Sequence, residues 1–148
     1  MIIKTNDANE TILLGEKLGK ALINRHAVIL LDGDLAAGKT TFTKGIAKGL
    51  GVNSIIKSPT FTIMRQYEGL NNNLYHLDLY RLDDMGMDFD LEEYVDDLNS
   101  VVVIEWPYQV EELLPSEFIK IHISRISDEE RKFEISYLGN YGEVLEKL

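Results

Sequence analysis

The segment Gly33-Asp34-Leu35-Ala36-Ala37-Gly38-Lys39-Thr40 constrains this chain more than any other. It fits G-x-x-x-x-G-K-[ST] at every fixed position. At average glycine usage a chance match in a chain this long has a probability on the order of half a per cent. The flanks narrow the reading further. Ala27-Val28-Ile29-Leu30-Leu31 is a short apolar run with branched side chains, the pattern of a strand buried on both faces in a parallel sheet. Behind the loop, Phe42, Ile46, Gly49 and Leu50 share one face of a helix expected over about residues 39–50, with Gly51 just past its end. Strand, glycine loop and helix in this order make a phosphate cradle.

The chemistry explains the spacing. Gly33 and Gly38 let the backbone wrap an anion with no Cβ in the way. The loop amides and the positive end of the helix face that anion. Lys39 reaches the β- and γ-phosphates of a nucleoside triphosphate, and the Thr40 hydroxyl ligates Mg²⁺. Thr41 is either a further phosphate contact or a polar first-turn residue that helps the helix start. Beside a triphosphate the charges of Asp32 and Asp34 would repel, so Asp32 reads as a strand-end residue and Asp34 as pointing outward.

Such a loop also needs an acid for the metal, and two candidates stand out. Glu105 follows the doubly buried run Val101–Ile104, at the carboxyl end of a strand, where open α/β sheets bind ligands. Asp78 lies on a strand at 75–80, where Tyr75, Leu77 and Leu79 alternate with His76, Asp78 and Tyr80, giving one polar face. Either carboxylate can hold Mg²⁺ or orient an attacking water. His76 reads as an exposed strand residue. Arg81 and Arg131 read as surface ion-pair residues before phosphate ligands, and Trp106 as core or interface filler before a nucleotide neighbour.

The remaining pattern completes an α/β fold. Asp7 with Glu10 has the form of a capping box for a helix over about 8–23, with Leu14, Leu18, Ala21 and Leu22 on one face. Residues 119–124 and 133–137 alternate and suggest antiparallel strands near an edge. The expectation is one domain over residues 1–148: a nucleotide-loop α/β fold with a parallel sheet core, additional antiparallel strands and flanking helices.

Charge is uneven. Residues 1–81 carry 10 basic and 7 acidic side chains, and residues 82–148 carry 5 and 18. A chain of net charge -10 is poorly suited to gripping nucleic acid through a broad phosphate-binding face. The stretch 82–98 is acidic without a basic residue; it reads as a solvated helix and loop or as a docking surface through Asp83, Asp84, Asp96 and Asp97. No cysteine is present, which excludes disulfides and thiolate sites. No apolar run approaches a membrane span and no signal peptide is visible, so a cytoplasmic setting is expected.

Four segments stand in a telling order: Gly33 to Thr41, Ser58-Pro59-Thr60-Phe61, His76-Leu77-Asp78-Leu79-Tyr80-Arg81, and Ile104-Glu105-Trp106-Pro107. This set resembles the TsaE (YjeE) family over about residues 8–125. The resemblance implies a P-loop ATPase that binds ATP and Mg²⁺ and hydrolyses ATP slowly alone. It implies association with a TsaB–TsaD pair, in which TsaD transfers threonylcarbamoyl to an adenosine beside the tRNA anticodon. The ATP cycle would reset that complex, and tRNA would be met only through it. Carried over, the loop residues Gly33, Asp34, Leu35, Ala36, Ala37, Gly38, Lys39, Thr40 and Thr41 hold the nucleotide, and Ser58 and Thr60 belong to a nucleotide-sensing switch. Thr40 and Glu105 bind Mg²⁺, and Asp78 joins Lys39 and Glu105 as a catalytic group. Ala36 stands where the family often has glycine, the chain from about 126 has no counterpart in the resemblance, and the start of the first helix is expected beside the adenine.

Two other classes compete. A small-molecule kinase on the same scaffold needs clustered cations over the transferring phosphoryl, whereas the arginines here are scattered at 25, 65, 81, 125 and 131. A GTPase-type module needs an Asn-Lys-x-Asp signature, which does not occur. Asp83-Asp84-Met85-Gly86 matches Asp-x-x-Gly but does not follow a buried strand.

Overall fold

The computed structural model describes residues 1–34, 37–56, 64–79, 91–106 and 114–148. The expected strand at residues 27–31 forms as β2 (Ala27–Gly33), running two residues further, and the apolar run at 101–104 forms as β5 (Ser100–Glu105). Both are buried on both faces, as their unbroken branched runs require. They pair in parallel, with Leu31 opposite Glu105. β4 (Asn73–Asp78) lies parallel on the far side of β5, with Asp78 opposite Glu105. β6 (Phe118–Arg125) lies parallel on the other side of β2.

Three antiparallel strands extend this core. β7 (Arg131–Leu138) pairs β6, β1 (Ile2–Thr5) pairs β7, and β3 (Met64–Glu68) pairs β4. The sheet order is β1-β7-β6-β2-β5-β4-β3. The alternating segments at 119–124 and 133–137 are therefore strands, but β6 sits inside the sheet and β1 forms the edge. β1 and β3 are short, and no sequence pattern announced them.

Two further expectations need correcting. The strand expected at 75–80 is β4, two residues earlier, and its face is not solvated: Leu74, Tyr75, His76 and Leu77 are all buried. A strand with sheet neighbours on both sides and packing above and below has no wet face, so its polar residues must find partners inside.

Helix α1 (Ala8–Ala21) starts where expected and ends two residues sooner. The Asp7 carboxylate accepts from the Glu10 amide at 2.8 Å. The return bond misses Asp7: the Glu10 carboxylate accepts from the backbone and side-chain amides of Asn6, at 3.4 and 3.1 Å. Helix α2 (Lys39–Gly49) follows the glycine loop. Both helices cover one face of the sheet, where Leu14, Leu18, Phe42 and Ile46 meet Ile29, Leu31, Val101 and Val103. The short helix α3 (Leu91–Val95) covers Val28, Leu30, Val102 and Ile104 on the opposite face. There Tyr75 donates to Asp97 at 2.7 Å, a bond that pushes the phenol up to about 12. Asp97 is thus a structural acceptor, and Asp83 and Asp84 lie outside the described residues. Helix α4 (Gly142–Glu146) closes the first core with Val144 and Leu145. Among the described residues no helix is long and apolar enough to cross a membrane.

The contact between α1 and α2 is made of backbone. A Cβ on Gly15 would lie 2.4 Å from the Phe42 carbonyl oxygen, and one on Gly45 would lie 2.2 Å from that of Ile12. Gly19 and Gly49 repeat the same close approach one turn later. Glycine inside a helix costs about 1 kcal/mol relative to alanine, so packing rather than propensity explains all four. In an isolated helix Gly45→Ala would be favourable. Here it should lower stability by about 1–3 kcal/mol, the cost of overpacking, and lower the thermal midpoint by roughly 5 °C. A midpoint equal to wild type in a thermal melt would mean that the helices part freely and that this contact does not set their spacing.

Candidate active site

Parallel pairing brings the carboxyl ends of β2, β5 and β4 to one edge of the sheet, and the candidate residues gather there. β2 ends at Gly33 with φ +150°, a region that disfavours side chains. A Cβ there would also lie 2.5 Å from the Ile123 carbonyl oxygen on β6. The loop returns at Gly38, φ +105°, which caps α2 without any side-chain bond to the helix. The first-turn amides of α2 are therefore free of a side-chain cap and face the loop with the positive end of the helix dipole. Ala37 is buried, Asp34 is exposed as expected, and Thr40 and Thr41 are half-buried in the first turn of α2. Leu35 and Ala36 lie outside the described residues, as do Ser58, Thr60 and Arg81.

Lys39 is 7% exposed. Its ammonium donates to the Gly33 carbonyl at 2.6 Å, lies 3.5 Å from the Asp34 carbonyl, and sits 3.9 Å above the Trp106 ring centroid. Burial pulls its pKa below the ordinary 10.5, against the attraction of Glu105, Asp78, Asp32 and Asp34. Glu105, the last residue of β5, is 3% exposed. Asp78 ends β4 directly beside it and is half-buried. Trp106 then turns the chain sharply, with φ +58°, a conformation uncommon for a residue with a side chain. Its amide donates to Leu31 O at 3.3 Å. This bend aims the indole at Lys39, so Trp106 is more than filler.

Two residues behave otherwise than their local pattern suggested, His76 and Arg131, while Asp32 stands at its strand end as expected. His76 is fully buried rather than exposed, and its Nε2 bonds the Glu105 carboxylate. Asp32, next to last in β2, meets His122 Nδ1 at 2.8 Å. Arg131 donates from Nε to the Ala37 carbonyl at 2.9 Å and from Nη1 to the Ser127, Asp128 and Glu130 carbonyls. It ties the glycine loop to the turn between β6 and β7. A pocket beside it is lined by Ala8, Thr11, Gly38, Thr41, Asp128 and Arg131. Nothing local marked Arg131, because its partner Ala37 lies 94 residues away.

The Lys39 environment has a measurable consequence. Its pKa is lower folded than unfolded, so the unfolded chain holds more protons over the interval below 10.5. Stability therefore rises with pH across that interval. Lys39→Met removes this contribution. In denaturant unfolding between about pH 7 and about pH 10, wild type should gain stability relative to the variant as pH climbs. Parallel curves would contradict the burial of a charged Lys39.

The description "Threonylcarbamoyl adenosine biosynthesis protein TsaE" belongs to the family model that matches residues 5–133. Relatives carrying the name tRNA threonylcarbamoyladenosine biosynthesis protein TsaE include one from Bacillus subtilis, 45% identical over 87% of this chain and 81% of its own length. Another, from Treponema pallidum, is 38% identical over 89% of this chain and 97% of its own length. A third, from Haemophilus influenzae, is 33% identical over 92% and 89%. The crystal structure of Bacillus subtilis YdiB superposes with a TM-score of 0.81 at 37% identity, covering 99% of this chain and 92% of that one. Motif order, sheet and relatives agree, and the chain belongs to the TsaE family.

Proposed function

We propose that this protein is a cytoplasmic, Mg²⁺-dependent P-loop ATPase that serves the TsaB–TsaD pair in making tRNA threonylcarbamoyladenosine, meeting tRNA only through that complex. One observation carries the reading. Lys39, on a glycine loop opening α2, shares a site edge with the neighbouring carboxylates Glu105 and Asp78. Kinship with proteins named for this biosynthesis supplies the pathway.

The residues fit the groups they would hold. The Thr40 hydroxyl and the Glu105 carboxylate are hard oxygen donors suited to Mg²⁺. The uncapped start of α2 and the positive-φ glycines suit the phosphates. On binding ATP, Lys39 exchanges the Gly33 carbonyl for phosphate oxygens, and the pocket by Thr11 and Arg131 takes the nucleoside. Bound Mg²⁺ supplies neutralisation of the charge on the β- and γ-phosphates. Asp78 orients a water whose oxygen bonds the γ-phosphorus while the bond to the β–γ bridging oxygen breaks and one water proton passes to a γ-phosphate oxygen, leaving ADP and dihydrogen phosphate.

ATP hydrolysis by the protein alone should be slow, rise strongly with the TsaB–TsaD pair, and vanish in Lys39→Ala. Tight ATP binding without stimulation would contradict the accessory role and favour a small-molecule kinase. The two acids separate by their losses: Asp78→Asn should bind MgATP and fail to turn over, whereas Glu105→Gln should lose the Mg²⁺ dependence of binding. Identical losses in the two variants would contradict these separate roles.

A further inference from the structure

His76 has no place in the chemistry described so far, and its surroundings call for one. It lies on β4, fully buried, two residues before Asp78 and on the same side of the strand. Its Nε2 bonds the carboxylate of Glu105, a group itself 3% exposed. Its other ring nitrogen, Nδ1, is buried without a hydrogen-bond partner among the described residues. These two facts select a tautomer. A proton on Nδ1 would be a buried donor without an acceptor, whereas a bare lone pair there is less costly. The Nε2 proton is therefore the one donated to Glu105.

A carboxylate has two oxygens and several lone pairs, and a single donor from below decides which of them face outward. Groups that orient a metal-binding side chain in this way fix its geometry and its basicity. His76 is well suited to that task because it is fully buried on an inner strand of the sheet.

We propose that His76 is the positioning residue for Glu105, donating from Nε2 so that the carboxylate presents its remaining lone pairs to the Mg²⁺ that accompanies ATP. The proposal rests on the reading of Glu105 as a Mg²⁺ ligand, and it assigns His76 no contact with nucleotide or metal. It also gives a reason for histidine at this place in the His76-Leu77-Asp78 segment: β4 carries both the acid beside Glu105 and the donor that holds Glu105.

The test is calorimetric titration of ATP at a series of MgCl₂ concentrations and in EDTA, for wild type, His76→Gln, His76→Asn and His76→Leu. Glutamine places an amide donor the same number of bonds from the backbone as Nε2, and asparagine places it one bond short. Leucine and asparagine should raise the Mg²⁺ concentration for half-maximal binding roughly 10–100-fold, the usual loss for such a partner. Glutamine should stay near wild type, and ATP affinity in EDTA should be unchanged in all. If leucine destroys the fold, the contrast between glutamine and asparagine carries the same test. Wild-type Mg²⁺ dependence in the asparagine variant would overturn the proposal, and so would equal losses in glutamine and asparagine or a loss of EDTA affinity matching the Mg²⁺ loss. Glu105→Gln in the same titration tells the two failures apart. If Glu105→Gln loses its Mg²⁺ dependence and His76→Asn keeps that of wild type, only the role of His76 falls. If Glu105→Gln keeps wild-type Mg²⁺ dependence, the reading of Glu105 falls and takes the proposal with it.

Discussion

The parallel register of β2, β5 and β4 is the constraint on which the rest depends. It sets Leu31 beside Glu105 and Glu105 beside Asp78, so three strand ends finish at one level. A buried carboxylate is costly unless it is bonded or paired. Here the fold answers that cost twice, with the ring of His76 from within the sheet and with the attraction of Lys39 from the start of α2. A slip of one residue in either pairing would turn Glu105 to the opposite face, among Leu30, Val102 and Ile104.

The helices hold the other half of the site. Lys39 opens α2, so its position follows from where α2 lies, and α2 lies against α1 with backbone touching backbone at Gly15, Gly19, Gly45 and Gly49. Arg131 fastens the glycine loop from the opposite side through the Ala37 carbonyl. The loop is thus anchored at both ends and bonded near its tip. A site that binds a triphosphate gains from such preorganisation, because little of the binding free energy goes into ordering the protein. Among the described residues, Trp106 at φ +58° is the one non-glycine residue near the chemistry in a left-handed conformation. Strain of that kind persists only where its surroundings enforce it, and here the turn carries the indole onto the Lys39 ammonium.

Much of this was legible in the residues. Unbroken apolar runs marked β2 and β5, periodicity marked α1 and α2, and the spacing of Gly33, Gly38, Lys39 and Thr40 marked the loop. Glu105 was singled out because strand ends in parallel sheets are where ligands sit, and Asp78 because it lies on the polar side of an alternating strand. What escaped is what depends on tertiary contacts. His76 alternates with apolar neighbours and so mimics a solvated face, yet its partner stands 29 residues away on the next strand. Arg131 has four carbonyl partners, and its link to the loop spans most of the chain. β1 and β3 are short edge strands whose side chains carry no apolar run, so only their pairing defines them. The four helix glycines look like weak helix formers until the facing backbone is seen.

Lys39, Thr40, Glu105 and Asp78 are proposed to enclose the phosphates and Mg²⁺ of ATP. The most direct test of that placement is a crystal structure of this protein with Mg²⁺ and a non-hydrolysable ATP analogue. The expected result is a Lys39 ammonium that has left the Gly33 carbonyl for a phosphate oxygen, with the metal held by Thr40 and Glu105. An analogue bound elsewhere, with Lys39 still on Gly33 and the Trp106 ring, would contradict it.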